Sequence, residues 1–261
     1  MHTQFSWDAS RGDMEATCRR AVEIGLPAIA FTDHADFTGG GFPDYHPLDI
    51  AAYREEVERC RARFPDLRIL SGVELGQPHL FADQAAAVLA TGPLDRVLGS
   101  VHCIRDAGGG LTDVATGDLM APERAAATLS AYFAELLALV ESSQPFEILA
   151  HLDYPKRYWP HAELPYREED HEEAIRAVLR GAAARGSVLE LNTTRGAEPH
   201  RGMCPGATVL RWWVEEGGRA VSMGSDAHDP ERIARGFELA CQLADAAGFR
   251  PNDDPAGCWL R

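Results

Sequence analysis

The chain has 261 residues, 45% hydrophobic and 25% charged, which excludes wholesale disorder and a collagen-like repeat and leaves material for one core of α/β-barrel size. Its 25 basic residues against 40 acidic ones give a formal charge of -15, so binding nucleic acid or an anionic membrane is not expected as its main activity. No apolar run reaches the roughly 18 residues of a bilayer span and no basic-then-apolar leader opens the chain, so a soluble, cytoplasmic protein is expected.

In chain order, short apolar runs alternate with longer helical patterns. A helix is expected over 13–24, opening on Asp13, then a strand over LPAIAF (26–31). A loop rich in Gly and aromatic residues (35–46) leads to a helix over 47–63, opening on Asp49. Strands LRILSGV (67–73) and DRVLGSV (95–101) follow, and then a second long loop, 104–120, containing Gly108, Gly109 and Gly110. The helix expected over 121–143 has the clearest period, with Leu129, Phe133, Leu136, Leu137 and Val140 on one stripe. Strand FEILA (146–150), helix 168–185, strand SVLEL (187–191), helix 205–217, strand RAVSMG (219–224) and helix 230–248 complete the series. Pro251 to Arg261 reads as a surface tail.

Buried-type strands separated by helices indicate a parallel sheet covered on both faces. Six units in series favour a closed or nearly closed barrel in one domain, 1–261, over an open doubly wound sheet. Loops as long as 35–46 and 104–120 usually form lids or substrate-facing rims. The six cysteines contain no CxxC pair and read as reduced structural thiols. A bound metal would therefore be held by nitrogen and oxygen, which suits zinc, manganese or iron.

Nearly every expected strand is followed by residues that bind metals or protons: Thr32-Asp33-His34, Glu74, His102, His151-Leu152-Asp153, Asn192 to Arg195, and Ser225-Asp226-Ala227-His228. In a parallel barrel these strand ends share one face, so the side chains should meet. A carboxylate such as Glu74 can bridge two cations while imidazoles cap the outer positions, which fits a site of two or three divalent ions. Such a site lowers the pKa of a shared water and suits phosphoester hydrolysis, although metals alone do not choose the substrate. Arg157 in YPKRY (154–158) and Arg195 in NTTRG (192–196) stand a few residues past strand ends, where guanidinium forks would hold phosphate oxygens.

The ordered motifs HTQFSWD (2–8), FTDH (31–34), GVE (72–74), SVH (100–102), AHLD (150–153), ELNT (190–193) and GSDAH (224–228) resemble the PHP (polymerase and histidinol phosphatase) family over almost the whole chain, and within it the monofunctional histidinol-phosphatases. The resemblance implies a distorted (β/α)7 TIM-like barrel with a trinuclear metal centre on its C-terminal rim. Carried over by motif, His2, Glu74 and Asp226 would serve the first metal, Glu74, His102 and His151 the second, and His34, Asp8 and His228 the third. Glu74, Asp226 and Asp153 would be the catalytic carboxylates, Asp153 as a proton carrier or a partner behind the ligands. Arg157 and Arg195 would grip the phosphate. The implied reaction converts L-histidinol phosphate and water to L-histidinol and phosphate, in histidine biosynthesis, so the expected partner is a small phosphorylated metabolite.

The family usually opens with an apolar strand ending in D-x-H-x-H, whereas this sequence starts at Met1-His2, leaving the first strand truncated. A start assigned too late is the favoured expectation, a weakened first metal position the alternative. Two other functions stay open: a PHP phosphoesterase for another small phosphate ester, and a non-catalytic metal-binding scaffold.

Overall fold

The computed structural model describes residues 1–106, 108–116, 118–159, 163, 166–194 and 201–261. Along the chain run α1 (Met14–Glu23), β1 (Ala28–Ala35), α2 (Ile50–Arg63), β2 (Arg68–Gly76), α3 (Ala82–Leu89), β3 (Arg96–Ser100), β4 (Cys103–Arg105), β5 (Leu111–Asp113), α4 (Pro122–Glu141), β6 (Ile148–Leu149), α5 (Glu172–Ala184), β7 (Val188–Asn192), α6 (Ala207–Glu215), β8 (Ala220–Gly224), α7 (Phe237–Ala246) and β9 (Trp259–Leu260). A seven-strand sheet in the order β1-β2-β3-β6-β7-β8-β9 is parallel except at β8–β9.

Local chemistry accounts for the element starts. Asp13 and Asp49 accept hydrogen bonds from the Ala16 and Ala52 N–H groups, as N-caps of α1 and α2. Every residue of β2 after Arg68 is buried, as in a strand covered on both faces. One core packs α4, α5 and α6 on the outer face through Phe133, Leu136, Val178, Leu179 and Trp213. A second packs α1 and α2 against β1 and β2 through Met14, Phe31, Tyr53 and Ile69. The Tyr53 hydroxyl fixes that contact: it donates to the Phe31 carbonyl (3.0 Å) and accepts from the Gly72 N–H (2.9 Å).

Several elements depart from the sequence pattern. α3 interrupts the interval between two expected strands; it is only eight residues long, and its short stripe of Ala85, Val88 and Leu89 packs on β1 and β2. The β4–β5 hairpin, three residues in each strand, begins at Cys103 and takes up part of the expected loop 104–120. The expected tail returns to the sheet, where Val221 pairs with Trp259 and Ala220 with Leu260, and the Arg96 guanidinium donates to the Ala256 carbonyl (2.6 Å). The helix expected over 230–248 splits into a 3-10 turn, Pro230–Arg232, and α7, because Gly236 takes a left-handed φ of 81° between them.

The curled sheet is not closed by a continuous ladder among the described residues. Met1 and His2 bridge β1 and the segment after β8: the Thr32 N–H donates to the Met1 carbonyl (2.8 Å) and the His2 N–H to the Ala227 carbonyl (2.9 Å). Behind them a cavity of about 300 Å³ is lined by Ala28, Ala30, Leu70, Leu98 and Glu190. No helix of the described residues is long and apolar enough to cross a membrane.

Candidate metal centre

Strand register begins the site. The β1–β2 ladder sets His34 directly beside Glu74, and period-two alternation puts Asp36, one residue past β1, on the same face as His34. The N-terminal segment is pinned over them by Asp33, which points the other way and accepts from the Thr3 N–H (2.6 Å) and the Ser6 hydroxyl (2.7 Å). Ser6 Oγ in turn accepts from the His34 N–H (3.0 Å), which brings His2 and Asp8 to the strand ends. His151 and Asp226 adopt left-handed backbone, φ 45° and 48°, just beyond β6 and β8. Such conformations persist in non-glycine residues where the surroundings fix them, often at functional sites.

The side chains converge on Glu74, which is 2% exposed. Glu74 Oε1 lies 2.8 Å from His151 Nε2, 3.0 Å from His102 Nε2 and 4.0 Å from His34 Nδ1, while Oε2 lies 3.5 Å from His2 Nε2. His2 Nε2 is also 2.8 Å from Asp226 Oδ1. Its ring stacks between His34 and His228, with centroids 4.1 and 4.3 Å away. Asp8 Oδ2 sits on the solvent side, 3.0 Å from His228 Nε2 and 3.5 Å from His34 Nε2. On the opposite flank Arg157 Nη2 is 2.6 Å from Asp226 Oδ2, and Asn192 Nδ2 donates to the same oxygen (3.2 Å).

Every described residue among the expected metal ligands thus lies in one cluster. Asp153 is the exception among the expected catalytic carboxylates. It is fully buried and lies 3.3 Å from Lys156 Nζ, and no imidazole of the cluster forms an ion pair with it. Proton transfer at the cluster does not fit that position. Arg195 lies outside the described residues. The sequence reading missed Asp36, which takes the His102 Nδ1 (3.2 Å), accepts from the Trp7 indole N–H (2.8 Å) and approaches His34 Nδ1 (3.7 Å). The signal was present in FTDHAD, since a polar residue two positions after His34 shares its face.

The electrostatics suit cations. Burial works against charge on Glu74, yet His151 and His34 hold its carboxyl well below the usual range. Burial likewise opposes ionised Asp226, and Arg157 and His2 overcome it. Burial also disfavours the imidazolium of His34, but Asp8, Asp36 and Glu74 push its pKa up to about 10. His2, buried beside His34 and His228, falls to about 3 and is neutral. Four carboxylates, Asp8, Asp36, Glu74 and Asp226, therefore hold positive charge on rings that a bound cation would displace.

The donor atoms fit metal ions. Three groups each bring their ligand atoms within 4.8 Å of one another: His2-His34-His228, His34-Glu74-His102 and His2-Glu74-Asp226. They share His2, His34 and Glu74, as adjoining positions would. With Asp36 bonded to the far nitrogen of His102, the site also has the carboxylate–imidazole support usual behind a metal-binding histidine. Asp36→Asn is expected to weaken metal binding about 10- to 100-fold with every direct donor in place. Chelator competition would measure this, and an unchanged affinity would remove Asp36 from the centre.

A curled, mostly parallel α/β sheet with carboxylates and imidazoles gathered at its strand ends is an arrangement in which metal-dependent enzymes build their sites. The PHP domain model matches residues 1–194, and the chain belongs to that family. Among its relatives is the histidinol-phosphatase of Lactococcus lactis subsp. lactis, 27% identical over 250 residues, covering 95% of this chain and 90% of that one. A protein named "Probable histidinol-phosphatase" in Clostridium acetobutylicum is also 27% identical, over 96% of this chain and 93% of its own length. The crystal structure of the Lactococcus lactis histidinol phosphate phosphatase, complexed with zinc, L-histidinol and phosphate, matches with a TM-score of 0.85 at 25% identity, covering 96% of this chain and 92% of that one.

Proposed function

We propose that this chain is a metal-dependent phosphomonoesterase that hydrolyses L-histidinol phosphate to L-histidinol and phosphate, a cytoplasmic step of histidine biosynthesis. The observation that carries the reading is the convergence of four imidazoles on Glu74, with the Arg157 guanidinium on its flank, in a chain matching a zinc-, histidinol- and phosphate-bound phosphatase along nearly its whole length. The same reading makes residues 1–261 one domain, a distorted (β/α)7 barrel in which six parallel strands are joined by the Met1–His2 segment.

His2, Asp8, His34, Glu74, His102, His151, Asp226 and His228 would hold two or three divalent ions, zinc, manganese or iron. When bound, such ions supply charge that stabilises a phosphoryl transition state and make water acidic enough to attack near neutral pH. Glu74 has an oxygen for each side of the cluster, so it would hold neighbouring cations. Arg157 is buried and presents its fork beside Asp226, where it would hold phosphate oxygens and offset the protein's strong negative charge. Arg195 is assigned the second arm of that grip. Asp8 and His228, the more exposed members, form the side from which substrate enters.

The test joins elemental analysis to a phosphate-release screen over L-histidinol phosphate and common metabolite phosphates. Histidinol phosphate is expected to have the highest kcat/KM, and an equal or faster rate with another ester would sink the substrate assignment. Arg157→Ala should lower kcat/KM about 10- to 100-fold with bound metal unchanged, the size expected for losing a charged hydrogen-bond donor.

A further inference from the structure

We infer that Lys156 is a positioning residue, a buried ammonium that fastens the turn bearing Arg157 to the 201–206 segment and so sets where the guanidinium meets phosphate. The inference rests on the proposed phosphate grip. Lys156 and Arg157 are neighbours in the 3-10 turn Tyr154–Tyr158, yet they point to different sides. Arg157 reaches Asp226 (2.6 Å), whereas Lys156 turns away from the cluster.

Lys156 is only 6% exposed; its ammonium donates to Glu168 Oε1 (2.8 Å) and the Met203 carbonyl (2.8 Å) and stands 3.3 Å from Asp153 Oδ2 in an ion pair. Those oxygens belong to separate stretches of chain. Asp153 follows His151, Glu168 precedes α5, and Met203 lies in the segment that returns to β7. That segment is tied to the site at its other end. Cys204 and Asn192 exchange two backbone hydrogen bonds (2.8 and 3.2 Å), and Asn192 Nδ2 donates to Asp226. Glu168 Oε1 also accepts from the Gly206 N–H (3.0 Å), and a Cβ on Gly206 would come within 2.5 Å of that oxygen, so a side chain there would displace the Glu168 carboxylate. A continuous chain of contacts thus runs from Arg157's own turn through Lys156 to the partners of Asp226.

A buried ion network is weak evidence for stability, because apolar side chains of similar volume often serve as well or better. Its stronger use is to select one geometry. Burial opposes the Lys156 charge, but Asp153 and Glu168 push its pKa up and keep the ammonium protonated.

The experiment measures the Kd for inorganic phosphate by calorimetry on metal-loaded protein, with metal content and thermal unfolding recorded beside it. Lys156→Met is expected to raise that Kd and the KM for substrate about tenfold together, with metal content unchanged and kcat within about threefold. Lys156→Arg should recover part of the loss. Should Lys156→Met fail to fold, Glu168→Gln, which keeps an acceptor and removes a charge, is expected to weaken phosphate in the same direction by about threefold. If Arg157→Ala weakens phosphate and folded Lys156 and Glu168 variants do not, the lysine serves only the fold and the inference fails. If Arg157→Ala leaves phosphate Kd unchanged, the grip itself is wrong and both readings fall.

Discussion

Glu74→Gln is expected to lower kcat/KM on the order of 10³-fold, about 4 kcal/mol of barrier, and to reduce the number of ions bound. The size follows from how much of the cluster meets at this one side chain. Oε1 is within 2.8–4.0 Å of His151, His102 and His34, and Oε2 faces His2 at 3.5 Å. A glutamine has one acceptor where the carboxylate has two, and its NH2 group would face imidazole nitrogens or a cation. The substitution also removes charge: with Glu74 neutral, one of the three carboxylates that raise His34 is lost. The protein should still fold, since Glu74 belongs to no apolar cluster and the β1–β2 ladder uses backbone groups. Elemental analysis and steady-state rates on the folded variant check this. Metal content and turnover like those of the unaltered chain would remove Glu74 from the chemistry.

How much of this site was legible depends on what kind of regularity each part obeys. His34, Glu74, His102, His151 and Asp226 stand at the ends of apolar runs, and a parallel sheet must bring such ends to one side. The convergence therefore followed from pattern alone, and motif resemblance supplied the grouping. Asp36 and Asp153 show where that logic stops. Both lie near strand ends and both are acidic, but Asp36 shares a face with His34 while Asp153 sits in an irregular turn whose direction no periodicity fixes. The result is that Asp36 meets His102 and Asp153 meets Lys156. α3 and β9 escaped for a different reason. An eight-residue helix whose stripe is three residues, Ala85, Val88 and Leu89, and a two-residue strand are too short for a hydrophobic period to stand out. Gln77 was equally hidden: its side-chain carbonyl accepts from the Cys103 N–H (3.1 Å), a bond visible only once β2 and β3 are paired.

Glu190→Gln is expected to stabilise the metal-free protein in alkaline solution and to do little in mild acid. Glu190 is buried at the cavity wall below Asp226 and Glu74. Burial first, and then those two negative charges, push its carboxyl up to about 8, against Arg157 and the Asn192 amide that favour ionisation. In an unfolded chain the group titrates near 4.5. Between these values the folded protein holds a proton that the unfolded chain has released, so stability falls as pH rises from about 4.5 and the loss is complete above about 8. The shift corresponds to about 2–5 kcal/mol once partial hydration from the cavity is allowed for. Glutamine keeps the shape and cannot ionise, so the variant loses this slope. Its melting temperature should equal that of the unaltered chain near pH 4.5 and exceed it by about 5–10 °C at pH 8.5. His34 contributes a slope of the same sign at higher pH, because its raised pKa gives stability present below about 6.5 and lost as pH climbs toward 10. The difference between the two proteins isolates the glutamate, since both carry His34. Loading the centre with divalent ions should shrink that difference, because cations beside Asp226 and Glu74 offset the charges that raise Glu190. Melting curves that stay parallel from pH 4.5 to 8.5 in metal-free protein would mean that Glu190 is ionised in the fold and that its carboxylate is paired more strongly than Arg157 and Asn192 account for.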